Sequence, residues 1–180
     1  ISALSAQANE IKRIFVGNES AKISIIAFES LTCSYCAKFH QDVYPLLKKE
    51  FLDTGLAKIE FRHFPLDIAA FNASKVAQCT NDGNLEILES LYANQQKWVK
   101  GSSIEEANIN LQKFLSKEGF NIDFESCINN KQIEDFVLND RIDGAKNFKV
   151  NATPTIIINN EKFEKTLNYK NLKKALEKLI

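Results

Sequence analysis

From residue 22 to residue 29 the chain is dominated by Ile, Ala and Phe, with only a weak alternation. That pattern predicts a strand covered on both faces, because a strand with one wet face would alternate apolar and polar residues. Downstream the period changes. Phe39, Val43, Leu46, Leu47 and Phe51 recur at helical spacing, which predicts a helix over Ala37 to Phe51, kinked near Pro45 because proline removes a backbone donor. Gly55 ends that helix, and Ala57 to Phe64 reads as a second strand. Strand, helix and strand in this order make a β-α-β unit whose two strands run parallel.

The lead-in is mixed, with a short helix expected near Ala6 to Ile14 and a turn at Gly17-Asn18. From Pro65 to about Val150 the signals are helical throughout: Ile68 to Cys79, Leu85 to Val99, Ile104 to Lys117 and Ile133 to Phe148, separated by Gly83, Gly101 and Gly119. Strand chemistry then returns at Thr155 to Ile158, followed by a turn at Asn159-Asn160, a short strand at Lys162 to Thr166 and a helix from Tyr169 to Leu179. The order β-α-β, helical block, β-β-α predicts an α/β fold. Residues 1–64 and 150–180 would form one domain and residues 65–149 an inserted helical one.

Composition narrows the function classes. At 180 residues and 44% hydrophobic content the chain can bury a proper core. Lys plus Arg and Asp plus Glu both number 23, so no overall field recruits nucleic acid or an anionic membrane. No apolar stretch approaches the roughly 18 to 20 residues that span a bilayer, so the chain as given reads as soluble. It contains no Met, even at residue 1, and is expected to begin after processing, with any export signal removed.

The chemistry concentrates at Cys33-Ser34-Tyr35-Cys36, between the first buried strand and the helix. A thiol at the first turn of a helix faces unpaired backbone N–H groups and the positive end of the macrodipole, so its thiolate is stabilised. With a partner thiol one helical turn on, the pair can close into a disulfide and be passed on by exchange. The remaining cysteines are Cys79 and Cys127, and an even total permits two disulfides. A Cys79–Cys127 bridge and two unrelated buried thiols are both open at this point. A bridge would stabilise the fold by about 4 kcal/mol on the loop-entropy relation and would mark an oxidising compartment. His40, four residues after Cys36, can complete a Cys33, Cys36, His40 metal set on one helical face, against a plainer reading as a helix residue packed near the site. Trp98, Phe71 and Phe64 read as core. No G-x-G-x-x-G, P-loop or second C-x-x-C supports a nucleotide or structural-zinc reading, and no cofactor is expected.

Thr153-Pro154 opens the third strand, where position alone suggests only a first-residue proline. Read together, Phe28-Glu29-Ser30-Leu31-Thr32-Cys33-x-x-Cys36-Ala37-x-Phe39-His40, Phe61-Arg62-x-Phe64-Pro65-Leu66-Asp67, Ala77-x-Cys79, Phe124-x-x-Cys127 and Val150-x-x-Thr153-Pro154-Thr155 resemble the DsbA-like thiol-disulfide oxidoreductases of bacterial cell envelopes. The resemblance runs from about Gly17 onward and implies a thioredoxin fold with a helical insertion between its β-α-β and β-β-α halves. It implies Cys33 as exposed nucleophile, Cys36 as buried resolving thiol, a cis Thr153–Pro154 loop opposite them and a structural Cys79–Cys127 disulfide. The implied activity is introduction of disulfides into reduced, unfolded or partly folded exported proteins in the periplasm or cell envelope, by a monomer that a membrane quinone-linked partner reoxidises.

Two departures from that family change the expectations. Its best-known members carry Pro-His between the cysteines where this chain has Ser34-Tyr35, and a tyrosine brings no positive charge. The Cys33 pKa is therefore expected below that of a free thiol but above about 3.5 to 4, with a less oxidising disulfide. Members of the fold also keep a buried acid six residues before the first cysteine, where this chain has Ala27. Glu29 has the same strand parity and is the candidate proton acceptor for Cys36, with Lys58 and Glu60 as weaker ones. The rival readings are a disulfide isomerase or reductase, and a metal-binding or metal-delivery protein. Isomerases of the superfamily usually add an N-terminal oligomerisation domain, for which the lead-in is too short.

Overall fold

The computed structural model describes residues 10–180. Five strands form one mixed sheet in the order β1-β3-β2-β4-β5: β1 (Ile14–Gly17), β2 (Ile23–Glu29), β3 (Ala57–His63), β4 (Thr155–Ile158) and β5 (Glu161–Lys162). β2 and β3 run parallel in the register Ala27↔Phe61, and β4 returns antiparallel beside β2 with Ala27↔Ile156. β2 is thus central, and its side chains are covered on both faces apart from the half-buried Ser24, as its mostly apolar run requires.

The crossover from β2 to β3 is the helix that carries the cysteines. It starts as α1 (Ser34–Lys38), widens into a π-helical turn at Phe39–Val43, tightens to α2 (Tyr44–Leu47) and widens again at Lys48–Leu52. Pro45 sits in the first turn of α2, and the expected irregularity appears as the π turn before it, because the missing proline N–H leaves the preceding ladder open. Between β3 and β4 lie α3 (Ile68–Cys79), α4 (Glu86–Ala93), α5 (Gln95–Trp98), α6 (Ile104–Lys117), α7 (Phe124–Ile128) and α8 (Lys131–Asn147); α9 (Tyr169–Glu177) closes the chain.

The main core joins the Ile25, Ala27, Ile59, Phe61, Ile156 row of the sheet to Phe39, Val43 and Leu47 of the crossover, to Leu172 and Leu176 of α9, and onward to Leu91, Trp98 and Leu111 of the helical block. A second cluster, Ile26, Phe28, Phe64, Val150 and Ile157, fills the opposite face. There α8 comes so close that a side chain at Gly144 would stand 2.8 Å from the Phe28 ring. Among the described residues no helix is long and apolar enough to cross a membrane.

Several elements depart from the sequence expectation. The short helix near Ala6 to Ile14 lies largely outside the described residues; Glu10 to Arg13 are irregular, and Ile14 opens β1, whose Ile14-Phe15-Val16 run pairs antiparallel with β3. The helix expected over Leu85 to Val99 is broken at Asn94. α7 has no counterpart in the expectation: it is one short turn, capped by Asp123 accepting from Ser126 N and too brief to show a period. α8 starts two residues early because Asn130 caps it. The strand expected at Lys162 to Thr166 is Glu161–Lys162, since the left-handed Asn159 and Asn160 form a tight turn that pairs Glu161 with Ile158.

Candidate active site

Cys33 is the N-cap residue of α1, extended at φ −78°, ψ 121°. In that position a side-chain acceptor lies toward the N–H groups two and three residues on; the Cys33 sulfur makes no capping hydrogen bond as a thiol, but the N–H groups of Tyr35 and Cys36 favour its ionised form. Cys33 is half-buried and Cys36 fully buried, and both thiols are free. As a thiol, Cys33 donates to the carbonyl oxygen of Thr153 at 3.6 Å, which sets the Thr153–Pro154 loop directly against the pair. The Thr153–Pro154 peptide bond is cis.

The two thiols are pushed apart in acidity. The Cys33 pKa is lowered from 9.0 to about 5. The largest cause is the hydrogen bond that the Cys36 thiol gives to the Cys33 sulfur; burial acts against it, and the Thr153 hydroxyl and the N–H groups of Cys36 and Tyr35 add to it. Thr153 Oγ1 is buried with no other partner, so it can turn from a bystander to a donor when the sulfur ionises. Cys36 moves the other way: burial raises its pKa, and the neighbouring Cys33 and Glu29 raise it further.

The surrounding loop is pinned from several sides. Thr32 donates its hydroxyl to Asp67 Oδ2 at 2.7 Å, while Asp67 Oδ1 caps α3 through Ala70 N. Ser30 Oγ accepts from Leu66 N, and Gln95 Nε2 donates to the carbonyls of Leu31 and Cys33.

Glu29 is at the end of β2, buried, and its carboxylate meets His40 Nε2 at 2.8 and 3.0 Å. Burial raises its pKa above the usual carboxylate range, and the His40 charge and hydrogen bond oppose the rise. The imidazole is stacked on Tyr92, with ring centres 4.3 Å apart and 15° between planes, and its Nδ1 is buried without a partner.

The structure therefore brings Cys33, Cys36, Thr153, Pro154 and Glu29 together, with Ser34 and Tyr35 exposed on the outer turn. It does not bring the weaker acid candidates there: Lys58 donates to the carbonyl of Glu19, and Glu60 pairs with Arg13 and Arg62. His40 is engaged with Glu29, and among the described residues no group of three or more His, Cys, Asp or Glu can hold a metal ion. Cys79 and Cys127 form a disulfide between the end of α3 and α7, with Cα atoms 5.7 Å apart. The sequence reading missed Gln95 and the Glu29–His40 pairing. Gln95 lies in the polar run Asn94-Gln95-Gln96-Lys97, which reads as a solvated face and gives no signal, and the second had none beyond the odd occurrence of an acid at the end of a buried strand.

Comparison with known proteins agrees with this geometry. A family model described as Thioredoxin matches residues 9–178. A Rickettsia typhi protein named as a protein-disulfide oxidoreductase is 25% identical over 171 residues, 92% of this chain and 61% of that one. The disulfide bond formation protein D of Bacillus subtilis is 26% identical over 187 residues, 98% of this chain and 81% of that one. Among solved structures, alpha-DsbA1 of Wolbachia pipientis superposes with a TM-score of 0.83 at 26% identity, covering 96% of this chain and 93% of that one. The chain spans about six-tenths of the length of the first two curated relatives, both from Rickettsia. With its N-capping C-x-x-C, its helical block between the two halves of the sheet and its second, bridged cysteine pair, the chain belongs to the thioredoxin family, in the DsbA-like branch.

Proposed function

We propose that the chain is a thiol-disulfide oxidoreductase that introduces disulfides into exported proteins through Cys33 and Cys36. The observation that carries this reading is the split between the two thiols, a half-buried Cys33 at a helix N-terminus with a lowered pKa and a fully buried Cys36 with a raised one. A stabilised Cys33 thiolate favours the reduced form of the pair, and that makes the oxidised form a disulfide donor.

In the proposed cycle a substrate thiolate attacks Cys33 Sγ of the oxidised pair. The Cys33–Cys36 bond breaks, and its electron pair leaves on Cys36, which takes up a proton. The substrate's second thiol, once deprotonated, attacks the substrate sulfur of the mixed disulfide and releases Cys33 as a thiolate. Two substrate thiols are oxidised and the pair holds the two electrons.

The Thr153–Pro154 backbone offers an edge to an extended substrate segment. A groove of about 580 Å³ beside it, lined in part by Tyr35, Phe39, Val43, Pro154, Leu167 and Tyr169, suits apolar side chains of an unfolded chain. Ser34 and Tyr35 bring no charge between the cysteines, and the acidity of Cys33 comes from the Cys36 thiol, the Thr153 hydroxyl and the N–H groups of Tyr35 and Cys36. The Cys79–Cys127 bridge supports an oxidising compartment, the bacterial periplasm or cell envelope. Clients there are reduced, incompletely folded proteins, and a membrane quinone-linked partner would restore the disulfide.

Glu29 takes the proton from Cys36 when that thiol must attack and returns it when Cys36 leaves. A carboxyl with a raised pKa holds a proton closer to neutrality than an ordinary one, which suits this exchange. Glu29→Gln is expected to slow attack of Cys36 on a preformed Cys33–glutathione mixed disulfide by about a hundredfold near neutral pH and to change the shape of the pH–rate profile. A profile parallel to that of the unsubstituted protein would remove the role.

The test of the reading as a whole is the reduction potential of the Cys33–Cys36 pair, measured in defined glutathione buffers with the second disulfide intact. A value of roughly −120 to −180 mV is expected of a disulfide donor, whereas one near about −270 mV would move the chain to the reductase reading.

A further inference from the structure

We infer that Gln95, which belongs to the helical block rather than to the thioredoxin core, is a positioning residue for Cys33. The inference rests on the reading of Cys33 as the thiol that forms the mixed disulfide with substrate and leaves as a thiolate.

The helical block is broken close to the site. α4 and α5 are separated by the single residue Asn94, at φ −129°, ψ 29°. Such a break opens the helical ladder and frees carbonyls that need new donors. Two are met by side chains: Asn94 Nδ2 donates to Ser90 O at 2.8 Å, and the indole N–H of the buried Trp98 donates at 2.8 Å to Leu91 O, which Asn94 N also reaches at 3.4 Å. A helix running straight through would have needed neither side chain, so the break is a built feature.

Its result is the aim of Gln95. One amide nitrogen with two protons spans two carbonyls, Leu31 O at 2.8 Å and Cys33 O at 3.0 Å. Leu31 is buried in the turn ahead of α1, and among the described residues no other hydrogen bond reaches its carbonyl. Cys33 O also accepts from Ala37 N at 3.2 Å. Gln95 therefore holds both ends of the Leu31-Thr32-Cys33 segment, keeping the Cys33 sulfur over the N–H groups of Tyr35 and Cys36.

There is an electrostatic side to the same contact. Carbonyl oxygens carry partial negative charge and repel a nearby thiolate. Amide protons set against them offset that repulsion without any rearrangement at the moment of reaction. The other ionisable groups coupled to this centre are Cys36, Glu29 and Tyr92, and His40 pairs with Glu29. None of them reaches the two carbonyls. Tyr92, three residues before Gln95 on the other side of the break, stacks on His40, so this one turn of the block supports the neighbours of both thiols.

The test is the Cys33 thiolate titration, followed by ultraviolet absorbance, in the unsubstituted protein, in Gln95→Met and in Gln95→Glu. Met keeps the length of the side chain and has no donor; Glu keeps its shape, has no donor and adds charge. We expect the Cys33 titration in Gln95→Met to move up by about one pH unit and the exchange constant with glutathione to fall about tenfold, with a larger shift in Gln95→Glu. Should Gln95→Met not fold, Gln95→Leu, which also lacks a donor and adds no charge, carries the test. A purely structural role would lower the unfolding midpoints of the oxidised and reduced forms equally and leave the titration in place, and that result overturns the inference. An ordinary thiol titration in the unsubstituted protein would instead overturn the redox reading itself.

Discussion

Cys36→Ser is expected to turn the chain into a trap. A serine hydroxyl can still donate to the Cys33 sulfur, which is the largest cause of its acidity, so the thiolate should survive the substitution and continue to attack disulfides. What is lost is the internal nucleophile that resolves the product. A neighbouring thiol held in place acts at a very high effective concentration, and without it only thiols from solution can release the mixed disulfide; its lifetime should lengthen by roughly a thousandfold or more. Cys33→Ser should behave differently. Cys36 is fully buried and its pKa is raised, so attack on external disulfides should vanish instead of stalling. Incubation with a disulfide-bonded peptide, followed by mass spectrometry without reductant, separates the two outcomes. Turnover by Cys36→Ser at the unsubstituted rate, or covalent capture by Cys33→Ser, would reverse the proposed roles.

The second large effect concerns stability. Cys79 and Cys127 are 48 residues apart in sequence, and removing a bridge that closes such a loop is expected to cost about 4 kcal/mol on the loop-entropy relation. α7 has five residues, too few to persist as a helix without tertiary support. It is also tied to α3 by packing of Phe124 in the main core with Val76 and Ala77 and by Lys75, one turn before Cys79, whose ammonium donates to Ile128 O at 3.1 Å. The bridge lies at the far end of α3, about 18 Å along the axis from Asp67 and the Thr32 contact. Cys79→Ala with Cys127→Ala should therefore lower the unfolding free energy while leaving the Cys33 titration unchanged. Denaturant unfolding of the oxidised protein measures the first and thiolate absorbance the second. A loss below about 1 kcal/mol would mean that packing alone holds α7.

Much of this site is legible in the residues. A mostly apolar run, a C-x-x-C and a 3.6-residue period are enough to place Cys33 at the entrance of a helix fed by a central strand. The helix pattern also anticipates an irregularity at Pro45, although not its form as a π turn. What stays hidden depends on contacts across the chain. Glu29 reads equally well as a solvated strand end, and only the approach of His40, 11 residues away, makes it a buried pair. Ile14 to Val16 is a strand because β3 lies beside it, not because four residues carry a period. Asn94 breaks a helix through its own side chain and that of Trp98, an arrangement that hydrophobic spacing cannot register.

The opposite displacement of the two thiols also fixes how many protons each oxidation moves. A substrate dithiol gives up two protons, while the reduced pair, with Cys33 ionised above about pH 5 and Cys36 still protonated, takes back one. In the proposed cycle one proton is therefore released to solvent for every disulfide made. By mass action the equilibrium moves tenfold toward substrate oxidation for each pH unit gained between about 5 and the ordinary thiol value of 9.0, and this dependence disappears on the acid side, where Cys33 too is protonated. Oxidising strength is thus tied to the acidity of the surroundings: an alkaline shift drives disulfide transfer forward and an acid one holds it back.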